Sequence, residues 1–253
     1  MKRIIVAGGT SGIGLQAVRL LAADGVKVGV AGRNEEAMKA LAGEFPGMIE
    51  WERIDVTATD APALLERLIR RMGGMDCYFH VAGVGYANDT LEEATEEATL
   101  ETNVAGFTRM VDAAFRYFRD SNGGCGHIAA ITSVAGTKGI GTMASYSASK
   151  SYQQKYLTAL SQLAAIDRLK IKFTDIRPGW VRTPLLSPEA RYPLLMSVDY
   201  AARRVVRALR KGRRVAVIDW RWNIVMGLWR LIPNALWSRL PIKAGTLGSR
   251  KGK

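Results

Sequence analysis

Among the eight tyrosines, Tyr146 alone has a lysine four residues further on, Lys150. On a helix, side chains at that spacing share a face. A cation beside a phenol favours the phenolate and lowers its pKa. The phenol then becomes usable as a proton donor or acceptor near neutral pH. The spacing alone would equally suit an exposed helical pair. Ser133, thirteen residues before Tyr146, closes an apolar run that reads as a strand. The carboxyl ends of strands in open α/β sheets are where ligands bind, so this neighbour tips the pair towards proton chemistry.

A second constellation lies near the N-terminus. Ile4-Ile5-Val6-Ala7 runs into Gly8-Gly9-Thr10-Ser11-Gly12-Ile13-Gly14, where a helical pattern begins. A strand, a glycine turn and a helix N-terminus make an anion site. Glycines let the backbone approach a pyrophosphate, and the free N–H groups of the first turn point at it. The spacing Gly8, Gly12, Gly14 differs from the general G-x-G-x-x-G, and the same glycines could serve a structural turn.

These residues need a scaffold that gathers them. Apolar runs predict strands over 4–7, 26–32, 49–55, 75–81, 127–133, 171–177 and 213–219. Amphipathic stretches predict helices over 12–24, 35–43, 61–72, 91–118 with a break, 147–166 and 197–210. Such alternation means β-α-β units and a parallel sheet covered on both faces. The expected fold is a three-layer, doubly wound, parallel seven-stranded α/β sheet. No repeat or low-complexity linker divides it, so residues 1–219 read as one domain. The stretch 183–196 carries Pro184, Pro188 and Pro193 and reads as a loop or broken helix over the site.

A length of 253 residues suits one large domain or two small ones, and 48% hydrophobic with 23% charged residues is ordinary for a globular chain. Disordered, collagen-like and polytopic membrane classes are excluded. Two cysteines, Cys77 and Cys125, cannot build a disulfide scaffold. His80 and His127 are far apart, so no zinc-type cluster can be written and no metal is expected. Met1-Lys2-Arg3 leads straight into a strand, too short a lead for a signal peptide, and a cytoplasmic protein is expected.

The charge is unevenly placed. Residues 203–253 carry 14 of the 36 Lys/Arg and one of the 23 acids, Asp219, so they hold the whole +13. They also carry four of the six tryptophans: Trp220, Trp222, Trp229 and Trp237. A neutral body with a basic, Trp-rich tail is not how a protein grips nucleic acid with its core, and no nucleic-acid partner is expected. Residues 220–253 therefore read as an amphipathic basic extension. Its longest apolar run, 224–229, is too short to span a bilayer. Trp222, Val225, Met226 and Trp229 follow helical spacing and make one apolar face. Two placements are open for that face. One is an interfacial helix at an anionic membrane surface, through 220–240. The other is packing on the body, beside the substrate mouth, or on a second subunit. Either apolar setting favours a hydrophobic, lipid-like or steroid-like substrate. The stretch 243–253 is expected to be mobile.

Taken in order, the motifs resemble the short-chain dehydrogenase/reductase superfamily in its NAD(P)-binding Rossmann form. They are Val6–Gly14, Asp55-Val56, Ala82-Gly83, Asn103, Ser133, Tyr146-Ser147-Ala148-Ser149-Lys150 and Pro178-Gly179-Trp180-Val181-Arg182-Thr183. The resemblance implies that Tyr146 donates or accepts the proton and that Ser133 holds the substrate oxygen. It implies that Lys150 lowers the tyrosine pKa and binds the nicotinamide ribose, and that Asn103 holds a water completing a proton relay. The cofactor site it implies comprises Gly8, Thr10, Ser11, Gly12, Ile13, Gly14, Asp55, Val56, Ala82, Gly83, Asn103, Tyr146, Lys150, Pro178, Gly179, Val181 and Thr183, with Arg33 and Asn34 at the second strand's tip. It also implies a homodimer or homotetramer. Two stretches depart from the family pattern. Ala7 replaces the usual threonine, and His80-Val81 replaces an asparagine pair. Altered local bonding is expected there, with His80 a structural donor.

The second strand ends in Arg33-Asn34, without an acid to accept from a ribose 2′-OH. An arginine there can pair with a 2′-phosphate, which favours NADP(H) over NAD(H). The other reading is a solvated Arg33 with Glu35 or Glu36 turned to the ribose. The whole points to an NADP-dependent oxidoreductase interconverting a ketone or aldehyde and an alcohol, a carbonyl reductase in the cell. The alternative is a nicotinamide-binding regulatory or membrane-peripheral scaffold protein without turnover. The intact Ser133, Tyr146 and Lys150 argue against it.

Overall fold

The computed structural model describes residues 1–186 and 191–242. Seven short apolar runs become parallel strands: β1 (Arg3–Ala7), β2 (Lys27–Gly32), β3 (Ile49–Arg53), β4 (Cys77–His80), β5 (Cys125–Ile131), β6 (Lys170–Pro178) and β7 (Val215–Ile218). They lie in the order β3-β2-β1-β4-β5-β6-β7. Successive side chains on a strand point to opposite faces. Ile4 and Val6 accordingly join one buried cluster and Ile5 and Ala7 the other. Such strands must be apolar throughout, because helices cover both sides.

One face is covered by α1 (Gly12–Ala23), α2 (Glu35–Glu44) and α7 (Val198–Lys211), through residues such as Ala17, Met38 and Val205. The other carries α3 (Ala61–Met72), α5 (Phe107–Asp120) and α6 (Ala144–Ile166), through Leu65, Phe107 and Leu157. The strand order reverses between β1 and β4, which opens a crevice at the carboxyl ends.

Several boundaries differ from the pattern-based expectation. The break in 91–118 is a π-helical turn, Glu101–Gly106, between α4 (Glu93–Leu100) and α5. Leu91 lies outside the helix at φ 55°. Helix α6 begins at Ala144 rather than 147, which brings Tyr146 inside its first turn. Strand β5 stops at Ile131, so Ser133 lies beyond its end. Ser133 instead caps a 3-10 turn, Val134–Thr137, its hydroxyl oxygen accepting from the Ala135 N–H at 3.1 Å. Of the 183–196 loop, Pro188 lies outside the described residues, and Val181 bridges Met196 across it.

The tail forms α8 (Trp220–Leu231) and α9 (Asn234–Trp237), and 243–253 lie outside the described residues. The carboxylate of Asp219 starts α8 by accepting from the Arg221 N–H at 3.1 Å. Of the two placements open for the 222/225/226/229 face, the structure takes packing on the body. Trp222 and Met226 are buried in the core, and Val225 and Trp229 pack against it. Further on, the Trp237 indole donates to the Gly139 carbonyl at 2.7 Å, and Lys138 Nζ donates to the Ile232 carbonyl at 2.9 Å.

Candidate active site

The glycine turn lies in the crevice, and two of its glycines are required by space. A Cβ on Gly8 would stand 2.5 Å from the Ala82 nitrogen, and one on Gly14 would stand 2.1 Å from the Gly8 oxygen. Gly12 has a φ of 51°, in the left-handed region. The departures from the family pattern leave the turn tied through its main chain. The Ala7 carbonyl accepts from both Val81 and Ala82, at 2.7 and 2.8 Å, and the Gly8 N–H donates to Ala31 at 2.8 Å. His80 Nδ1 and the Tyr78 hydroxyl are 2.9 Å apart, which fits a structural role. Burial, helped by the Lys150 charge, pulls His80 down to about 3, so its ring is neutral at ordinary pH.

A cleft of about 520 Å³ runs along this turn. Its walls include Gly8, Thr10, Ser11, Gly12, Ile13, Arg33, Asp55, Val56, Ala82, Gly83, Tyr146, Lys150 and Thr183. Arg33 is exposed at its rim. Neither Glu35 nor Glu36 lines it, and Glu35 stands 3.7 Å from Lys39 and 3.9 Å from Arg53. The Asn34 side chain is engaged elsewhere: its oxygen caps α2 by accepting from the Ala37 N–H at 3.0 Å. Asp55 is partly buried, which raises its pKa, but the Thr57 amide and hydroxyl bonds hold it below the usual value.

The first turns of α6 place Tyr146 and Lys150 on one side, with the Lys150 ammonium 5.7 Å from the phenol ring centre. Burial pushes the Tyr146 phenol up, and the Ser133 side chain opposes the rise. Lys150 is buried and donates to the Ile131 carbonyl at 3.2 Å and to Gln153 Oε1 at 3.0 Å. Burial pulls its ammonium down to about 8, against the attraction of Asp175. Asn103 sits fully buried on the π-helical turn, clamped by the main chain of Val84 at 2.9 and 2.7 Å. Asn103, which the resemblance expects to hold a water, accepts at its main-chain oxygen from Gln153 Nε2 at 2.8 Å. A fully buried glutamine thus spans Lys150 and Asn103. Sequence reading missed it, though its place three residues after Lys150, on the lysine's side of α6, was a usable signal.

The family model described as short chain dehydrogenase matches residues 2–192. The chain belongs to the short chain dehydrogenase family. An uncharacterized oxidoreductase of Myxococcus xanthus is 27% identical over 239 residues, covering 92% of this chain and 93% of that one. The 2,5-dichloro-2,5-cyclohexadiene-1,4-diol dehydrogenase of Sphingobium indicum is 33% identical over 191 residues, covering 73% and 74%. Among solved structures, actinorhodin polyketide ketoreductase with NADPH superposes with a TM-score of 0.76 at 26% identity, covering 86% of this chain and 95% of that one. The protein is therefore a nicotinamide-dependent oxidoreductase acting on CH–OH and C=O groups.

The residues of this short chain dehydrogenase fit a dinucleotide. The space over Gly8 and Gly14 is closed to any Cβ, and the cleft follows the turn to Tyr146 and Lys150. A second, smaller cavity of about 120 Å³ adjoins it. Ser133, Pro178, Gly179 and Val181 line this cavity rather than the cleft, and Ile13, Tyr146 and Thr183 line both. Ile140, Leu185 and Leu186 also line the small cavity, while Gly85 and Tyr86 line the cleft. Trp180, Trp222 and Trp229 are walls of the small cavity too, so the Trp222/Trp229 face takes the place beside the substrate mouth that the sequence left open. The tail helix α8 thus closes the small cavity.

Proposed function

We propose that this enzyme interconverts a hydrophobic ketone or aldehyde and its alcohol, using NADP(H) in preference to NAD(H). The observation that carries the reading is that Tyr146 lines both cavities, with Ser133 beside it in the apolar one. Bound nicotinamide would supply or take the hydride. The chain's part is the proton and the substrate oxygen. In reduction the Tyr146 phenol gives its proton to that oxygen, and the Ser133 hydroxyl holds it by a hydrogen bond. Burial keeps the phenol protonated beforehand, which suits a donor. Lys150 places a positive charge against the ring and offers N–H donors to a ribose in the cleft.

Three residues favour a hydrophobic substrate, since Trp180, Trp222 and Trp229 surround the small cavity. The preference for NADP(H) is supported by Arg33 at the rim, with Glu35 held near Lys39 and Arg53. The 2′-phosphate needs such a charge-assisted partner, and the second strand ends in Arg33-Asn34 without the acid that would accept from a 2′-OH. The test is NADPH oxidation over ketones of graded hydrophobicity, repeated with NADH. Turnover should rise with apolar size and be faster with NADPH. Absence of turnover with every ketone and aldehyde, despite NADPH binding, would make the protein a nicotinamide-binding scaffold.

A further inference from the structure

Helix α8 is apolar on two sides. Its inner side, Trp222 and Trp229, walls the small cavity. Its outer side carries Trp220, Ile224, Leu228 and Leu231, which are 66%, 55%, 58% and 78% exposed. Steps of three and four residues put these on one stripe. Leu236 and Leu240 extend the exposed apolar surface beyond the helix. Soluble monomers rarely leave such a stripe bare unless something covers it.

We propose that this outer face of α8 docks on an anionic lipid surface, and that the substrate is a carbonyl compound dissolved in that lipid. The second half rests on the functional reading above. Charge selects the occupant. Between 220 and 242 there is no acid, while Arg230 and Arg239 stand exposed beside the stripe. Asp219, just before the helix, is buried and already paired with Arg221 at 2.9 Å. A second copy docked two-fold on this face would set arginine against arginine with no acid between them. Anionic headgroups supply the missing countercharge to these basic residues. A basic helix with an aromatic and leucine face lies in the plane of the interface. No helix among the described residues is long and apolar enough to cross a membrane. With its outer side in the headgroup layer, α8 would stand as the partition between lipid and catalytic cavity.

The full chain should sediment with phosphatidylserine-containing vesicles and not with phosphatidylcholine vesicles, and salt should weaken the binding. Ile224→Glu with Leu228→Glu should reduce vesicle affinity by roughly tenfold or more, because two exposed side chains lose their burial in lipid. Neither residue lines the cleft or the small cavity, so turnover of a water-soluble ketone should be unchanged. Turnover of a long-chain ketone carried in the anionic vesicles should fall in step with binding. If the wild type ignores anionic vesicles, the docking proposal is overturned. A dimer that dissolves in the doubly substituted protein would overturn it too, by assigning the face to a second copy. Vesicle binding without NADPH-dependent turnover of any carbonyl would instead sink the functional reading and leave the docking surface standing.

Discussion

Gln153 Nε2 donates to the main-chain oxygen of Asn103 at 2.8 Å, while Oε1 of the same side chain accepts from Lys150 Nζ at 3.0 Å. An amide therefore occupies the link between the π-helical turn and the buried ammonium. An amide holds its partners by geometry but does not pass a proton along as a water does. Lys150 is thus positioned from the Asn103 side.

This arrangement predicts a pH signature. Lys150 is charged below about 8 and loses its proton above it, so kcat/KM for reduction should fall on that alkaline limb. Gln153→Leu removes an acceptor from the ammonium, which favours the neutral amine and moves the limb to lower pH. A lost bond to a charged group is worth about 1.5–3 kcal/mol, or about one to two pH units. Gln153→Glu places a carboxylate there and should move the limb upward. A profile unmoved by both substitutions would reduce Gln153 to packing.

Tyr146→Phe keeps the ring in its place against Lys150 but removes the transferable proton. Turnover should drop by roughly 10²- to 10⁴-fold, the usual contribution of a placed acid or base. NADPH affinity, measured by fluorescence titration, should stay within a few-fold. Survival of most activity would take the proton role away from Tyr146.

Arg33→Asp should weaken NADPH by roughly ten- to a hundredfold, since a charge-assisted contact is replaced by repulsion. NADH should be affected far less, because an acid can accept from the 2′-OH. Paired dissociation constants for the two cofactors check this. A wild type that already prefers NADH would contradict the reading of Arg33.

Trp222→Ala should destabilise the whole fold by about 3–5 kcal/mol, the range for removing a large buried aromatic ring. Trp222 is 4% exposed and fills the space that a Cβ on Gly179, just past β6, would need, so the tail helix is part of the core. The urea midpoint should fall, and the opened cavity should favour bulkier ketones. An unchanged midpoint would mean that the tail is separable.

Much of this was legible along the chain, because it depends on local patterning. The apolar runs marked all seven strands to within two residues at each end. The glycine turn and the Tyr146–Lys150 spacing follow from backbone sterics and helical period, which neighbours in sequence decide. Even the break before α5 was visible, although not that it would be π-helical and would carry Asn103.

The phase of α8 was not legible in this way. The helix is apolar nearly all round, so the period that singled out Trp222, Val225, Met226 and Trp229 fits the outer stripe as well. Packing of one stripe against Gly179 and the core left the other bare. The same holds for Gln153 and Asn103, fifty residues apart. Their bond exists because α6 crosses the π-helical turn with both groups cut off from water, where each polar atom must find a partner within reach. Sequence periodicity decides which residues can share a face. Only the closing of the core decides which face is turned inward and which buried groups meet.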